Sequence, residues 1–175
     1  MLMEMTGTLR ALCLRYGLHV RPWVGTLLLA PVSLYFLLSY GTYTFMDAVD
    51  LVFHEAGHVF FAPFGPFIRI AGGTIMQLLV PLLLACHFVR QQERLGAQVM
   101  LVWLGQSLLN VSVYAADAQV QRLPLLGGDR ALHDWAYLLD TVGLLPHSQV
   151  IGSCLFALGL LVFSLALVLP RFYVD

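Results

Sequence analysis

The sequence puts two imidazoles and a carboxylate within five consecutive residues, His54-Glu55-Ala56-Gly57-His58. On an α-helix, histidines four residues apart project from one face, about one turn from each other. Both rings can then bind one Zn²⁺, with the intervening glutamate beside a water held there. With six histidines and three glutamates in 175 residues, composition alone yields such a motif in about one chain in three hundred. The alternative is two interfacial histidines and a snorkelling glutamate. It is disfavoured because ionisable groups inside an apolar span are costly and usually functional.

The neighbouring residues extend the pattern. Asp47, Asp50, His54 and His58 fall on one narrow stripe of a 3.6-residue helix. A carboxylate one turn before a histidine can accept its non-ligating N–H and fix its tautomer. Asp47 suits the wet end of the helix equally well. Gly57 allows close backbone approach, or a small contact between helices. Two histidines do not close a catalytic zinc site, which needs a third protein ligand and an open position. Gln106, Asn110, Tyr114 and Asp117 form a polar stripe in an otherwise apolar run, and such a stripe must face protein, water or a metal. Asp117 is the first choice for third ligand. Asp129, His133, Asp134 and His147, in the connection that follows, compete with it.

These residues sit in a chain with 59% hydrophobic and 11% charged residues, where an average soluble protein has about 25% charged. Mean hydropathy is +0.82. The composition excludes disorder, a coiled coil, a basic nucleic-acid binder and a disulfide-stapled secreted domain. Cys13, Cys86 and Cys154 are odd in number and far apart, and read as reduced small apolar residues. The expected fold class is all-α: a polytopic membrane helix bundle, in contact with membrane lipid, forming one domain over residues 1–175.

Five apolar stretches are candidates to span, at about 23–40, 44–63, 73–89, 95–118 and 149–169. Residues 1–22, with Arg10, Arg15 and Arg21, read as an interfacial segment preceding a retained signal anchor. Residues 62–73 read as turn, short extended run and turn, with Phe67 to Ile70 able to pair with an extended substrate. The 119–148 connection is expected to carry a short helix over about 130–144, capped by Asp129, with Trp135, Leu138, Leu139 and Val142 as its apolar side.

A cytoplasmic N-terminus puts six arginines inside and three outside, which the positive-inside rule favours. The second and fourth stretches, two crossings apart, then run parallel. The histidine motif and Asp117 lie toward the same, cytoplasmic, face, and His87 lies toward the other.

With these features the sequence resembles the site-2 protease type of intramembrane zinc metallopeptidase. The resemblance covers about residues 44–130 and rests on the HEAGH motif late in an apolar span, the stretch after it and a polar-striped span two crossings later. In that family the third ligand is an aspartate downstream of an asparagine, and here Asn110 and Asp117 are seven apart. The resemblance implies zinc as cofactor, His54, His58 and Asp117 as its ligands, and Glu55 as general base. It implies a membrane protein or peptide as substrate, cut in or near a transmembrane segment. Ala116-Asp117-Ala118 departs from the family's Leu-Asp-Gly, and Pro124-Leu125-Leu126-Gly127-Gly128-Asp129 carries a similar run with the aspartate displaced. A zinc-binding membrane protein that does not cleave peptides, such as a metal carrier or assembly factor, is the second reading.

Overall fold

A computed structural model describes residues 23–124 and 132–173. Among the described residues the chain is helical throughout, without strands. The helices are α1 (Val24–Leu38), α2 (Phe45–Phe60), α3 (Pro66–Arg90), α4 (Arg94–Asp117), α5 (Asp134–Thr141) and α6 (Ser148–Val168). Short 3₁₀ turns occupy Ala62–Phe64, Leu145–His147 and Leu169–Phe172.

Among the described residues, three helical runs are long and apolar enough to cross a membrane: α3, α4 and Leu145–Phe172, which contains α6. This is fewer than the five spans expected. Helix α1 is apolar but has 15 residues, about 22 Å at 1.5 Å per residue, against a hydrocarbon core of about 30 Å. Helix α2 has 16 residues and carries the charged and imidazole side chains that lower its hydropathy. Large apolar side chains such as Leu27, Leu38, Leu83 and Leu161 cover the outside, a surface suited to lipid rather than water.

Helix α4 is the central post. It buries residues on all sides, from Ala97 to Ala115, as a helix surrounded by protein must. It packs most extensively against α6, through small residues. A Cβ on Gly105 would strike Phe163, one on Gly152 would strike Ala116, and one on Gly159 would meet Leu109. Apolar solvent gives helices no hydrophobic reason to associate, so close approach at small residues supplies the contact energy. Gln98 of α4 ties in both neighbours, donating to Thr26 Oγ1 of α1 at 2.9 Å and to the Ala166 carbonyl of α6 at 2.8 Å.

The extended run expected after the histidine motif is helix instead. Gly65 takes φ +92°, a conformation that costs glycine little. Pro66 then opens α3 with φ already helical and no N–H to leave unpaired. The Arg69 N–H bonds back to the Gly65 carbonyl, so Phe67 to Ile70 form the first turns of a helix and offer no strand edge. Helix α3 therefore starts seven residues before the stretch expected at 73. Residues 1–22, with the expected interfacial segment, and Asp129 lie outside the described residues.

Candidate metal centre

Helix α2 begins at Thr44, whose N–H and hydroxyl both donate to the Asp47 carboxylate, at 2.5 and 2.6 Å. A carboxylate at N3 reaching back to the N-cap N–H is one half of a capping box. With its start fixed, α2 turns Asp47, Asp50, His54 and Gly57 inward. Gly57 lies directly against α3, where a Cβ would collide with the Gly72 carbonyl. Gly73 faces the His54 ring, and a Cβ there would come 2.5 Å from its Nε2. The glycine pair of α3 thus makes room for the histidine face of α2.

The two imidazoles lie 4.8 Å apart, centroid to centroid, nearly perpendicular. Their Nε2 atoms converge on one oxygen, Asp134 Oδ2, at 2.8 Å from His54 and 3.1 Å from His58. Donor atoms of His54, His58 and Asp134 all lie within 4.8 Å of one another. Ligands around a tetrahedral zinc are separated by about 3.3 Å, given zinc–nitrogen bonds of about 2.0 Å.

The other ring nitrogens decide what the Nε2 atoms carry. His58 Nδ1 lies 3.0 Å from the Arg69 carbonyl, which can only accept, so Nδ1 bears the proton. His54 Nδ1 lies 3.1 Å from Gln77 Oε1. The orientation of that amide is fixed from behind. Gln77 Nε2 donates to Asp50 Oδ2 at 3.3 Å and to Asn110 Oδ1 at 2.9 Å. Asn110 in turn donates to Asp47 Oδ1 at 2.7 Å. Carboxylates only accept, so both amides point the way described and His54 Nδ1 must donate. In its neutral form each histidine therefore aims an Nε2 lone pair at the Asp134 carboxylate. Three acceptors facing one another repel unless a cation or a shared proton lies among them. This donor set fits a divalent metal, and it is the outer-partner arrangement that orients metal-binding histidines.

Two further expectations are corrected here. Asp50 does not touch His54; it acts through Gln77, while its other oxygen accepts from Trp103 Nε1 at 2.8 Å and Ser107 Oγ at 2.9 Å. Asp117 does not join the histidines. It ends α4, and its carboxylate accepts the Arg122 and Leu123 N–H groups, each at 3.0 Å, to close the turn after the helix. The donor atoms that lie within 4.8 Å of one another belong to His54, His58 and Asp134, without Asp117. The remaining stripe residues do face the site: Gln106 and Asn110 donate to Asp47 Oδ1, and the Tyr114 ring lies 6.2 Å from that of His54.

Asp134 reaches the centre from α5. The helix is N-capped by His133, whose Nδ1 accepts the Ala136 N–H at 3.2 Å. Burial holds the His133 imidazole below its usual pKa, in keeping with a neutral ring that accepts at Nδ1. Its Nε2 faces Asp117 Oδ2 at 3.5 Å, long for a hydrogen bond. The Asp134 N–H donates to the Tyr114 hydroxyl at 3.0 Å. The short helix spans 134–141 rather than 130–144, and it buries Ala136, Leu138 and Leu139 while Val142 is exposed. Packing of Ala136 and Leu139 on Ala118, with Ile151 alongside, seats it on the bundle. His147 lies in the 3₁₀ turn before α6 and His87 in the last turn of α3; neither belongs to the group.

A cavity of about 710 Å³ opens beside the three donors, between the end of α1, α2 and α4. Glu55, exposed, lines it together with His54, His58, Asn110, Tyr114 and Asp134. Phe36, Leu51, Leu109 and Val113 form its apolar wall. Comparisons with protein-family models, with curated proteins and with solved structures find no match.

Proposed function

We propose that this chain is a zinc-dependent metallopeptidase of the HExxH type, acting on peptide bonds in or near transmembrane segments. The observation that carries the reading is the convergence of two Nε2 lone pairs and the Asp134 carboxylate. His54, His58 and Asp134 would hold the ion. Three protein donors leave a fourth position for water or substrate, as catalytic zinc sites do. When bound, Zn²⁺ supplies Lewis acidity, bringing the pKa of a water down to about 7 and polarising a peptide carbonyl.

The chain's own residues supply the rest. Glu55, in the cavity beside the donors, takes a proton as water attacks the carbonyl carbon and returns it to the leaving amine. Gln77 and the Arg69 carbonyl keep the imidazoles in the tautomer that binds metal. The apolar wall receives side chains flanking the cut and excludes water from them. A helical substrate must unwind to enter, because helical carbonyls are already hydrogen-bonded.

Glu55 distinguishes this reading from a metal carrier or assembly factor, since a purely structural site usually closes with four protein ligands and has no use for a free carboxylate. The test is zinc stoichiometry and turnover on one preparation. Protein purified in detergent should hold about one zinc per chain, lost in His54→Ala and His58→Ala. Glu55→Gln should keep the zinc and lose cleavage of single-span membrane peptides. Wild-type cleavage rates in Glu55→Gln would end the proposal.

A further inference from the structure

The hydroxyl of Tyr114 holds more hydrogen-bonding capacity than its one bond uses. It accepts the Asp134 N–H at 3.0 Å, and that is its only hydrogen bond among the described residues. Its own proton is therefore left to point elsewhere. The ring lies 4.3 Å from the His133 ring and 6.2 Å from the His54 ring. It lines the cavity shared with Glu55 and the three donors. An O–H with no acceptor among the described residues, carried by a helix that lines the cavity of the metal donors, is suited to stabilise charge developing on a carbonyl oxygen.

We infer that Tyr114 is a catalytic residue: its hydroxyl donates to the carbonyl oxygen as that oxygen becomes negative. This inference rests on the peptidase reading above. In the step concerned, the water oxygen bonds to the carbonyl carbon and the carbonyl π pair moves onto oxygen. One water proton passes to Glu55. Collapse returns the pair to the carbonyl, breaks the C–N bond and delivers the Glu55 proton to nitrogen. Tyr114 keeps its proton throughout. Asn110 bridges Asp47 and Gln77, and His133, whose Nε2 makes no hydrogen bond among the described residues, is not among the residues that line the cavity.

Tyr114 has a second task, since the same oxygen holds the Asp134 backbone, so the test must separate donor from prop. Zinc-loaded protein in detergent is titrated with N-phosphoryl-Leu-Phe, a tetrahedral anionic mimic of the hydrolytic transition state, and with acetohydroxamate, a planar chelator. Tyr114→Phe should keep its zinc and bind acetohydroxamate within about threefold of wild type. It should bind N-phosphoryl-Leu-Phe about 10²-fold more weakly, the size of effect found for a lost oxyanion donor. Equal weakening toward both probes, loss of zinc, or no weakening at all would each overturn the donor role. Replacing Tyr114 with 3-fluorotyrosine keeps the oxygen and makes the O–H a stronger donor. It should tighten the phosphoryl probe alone; unchanged affinity would again overturn the inference. Wild-type protein that binds zinc but neither probe would overturn the peptidase reading itself, a different outcome from a silent Tyr114.

Discussion

Gln77 presents its amide oxygen to His54 Nδ1 at 3.1 Å, and Asp47 and Asp50 together forbid the reverse orientation. The amide transmits the preference of two buried carboxylates to an imidazole that neither one contacts. Gln77→Leu should leave the helices in place and lower zinc affinity by about 10- to 100-fold, as loss of outer partners does at other metal sites. Competition with a fluorescent chelator measures it. Affinity unchanged in Gln77→Leu would show that the tautomer is set in some other way.

Asp134 and Asp117 are both aspartates beside His133, yet their oxygens have different occupations. Asp134→Asn should lower zinc affinity by about 10²-fold or more, because a neutral amide replaces an anionic ligand. Asp117→Asn should leave zinc affinity within about threefold and loosen the turn at 118–124, seen as faster amide exchange at Arg122 and Leu123. The reverse result would restore Asp117 as the ligand.

Gly73 has no room for a methyl group beside His54. In Gly73→Ala the imidazole must swing away or α3 must shift, and either removes Nε2 from its convergence with His58. Zinc content should fall to near zero. Overpacking of this kind costs about 1–3 kcal/mol, so a thermal melt should show a modest loss for the metal-free protein. Gly96→Ala, where the added carbon meets Phe88 instead, is the control that should leave zinc content unchanged.

Gln98 joins three helices far from the metal donors. Gln98→Leu removes bonds to Thr26 and to the Ala166 carbonyl, leaving a buried carbonyl unpaired at about 1–3 kcal/mol. Amide exchange in α1 should quicken, and zinc affinity should stay the same.

Much of this was legible in the residues. The i, i+4 histidines, the inward stripe from Asp47 to His58 and the polar face of α4 follow from helical periodicity, which depends only on sequence spacing. The boundaries of α4 and α6 lie within one residue of the apolar runs that define them. Two things were hidden. Gly65-Pro66 suggests a turn, yet a proline just past a glycine of positive φ equally starts a helix. Asp134 was one of several acids and histidines in a connection, and helix periodicity says nothing about which loop residue folds back across 80 positions. Gln77 offered a signal that went unread: a lone amide in the apolar middle of a span needs partners on other helices, and those partners are the site.

Asp134, the third member of the candidate donor group, stands 80 positions beyond His54, past the last turn of α4. During synthesis the two imidazoles emerge long before that carboxylate exists. The donor group therefore stays incomplete throughout the synthesis of α2, α3 and α4. It closes only once α5 is seated on the bundle through Ala136 and Leu139.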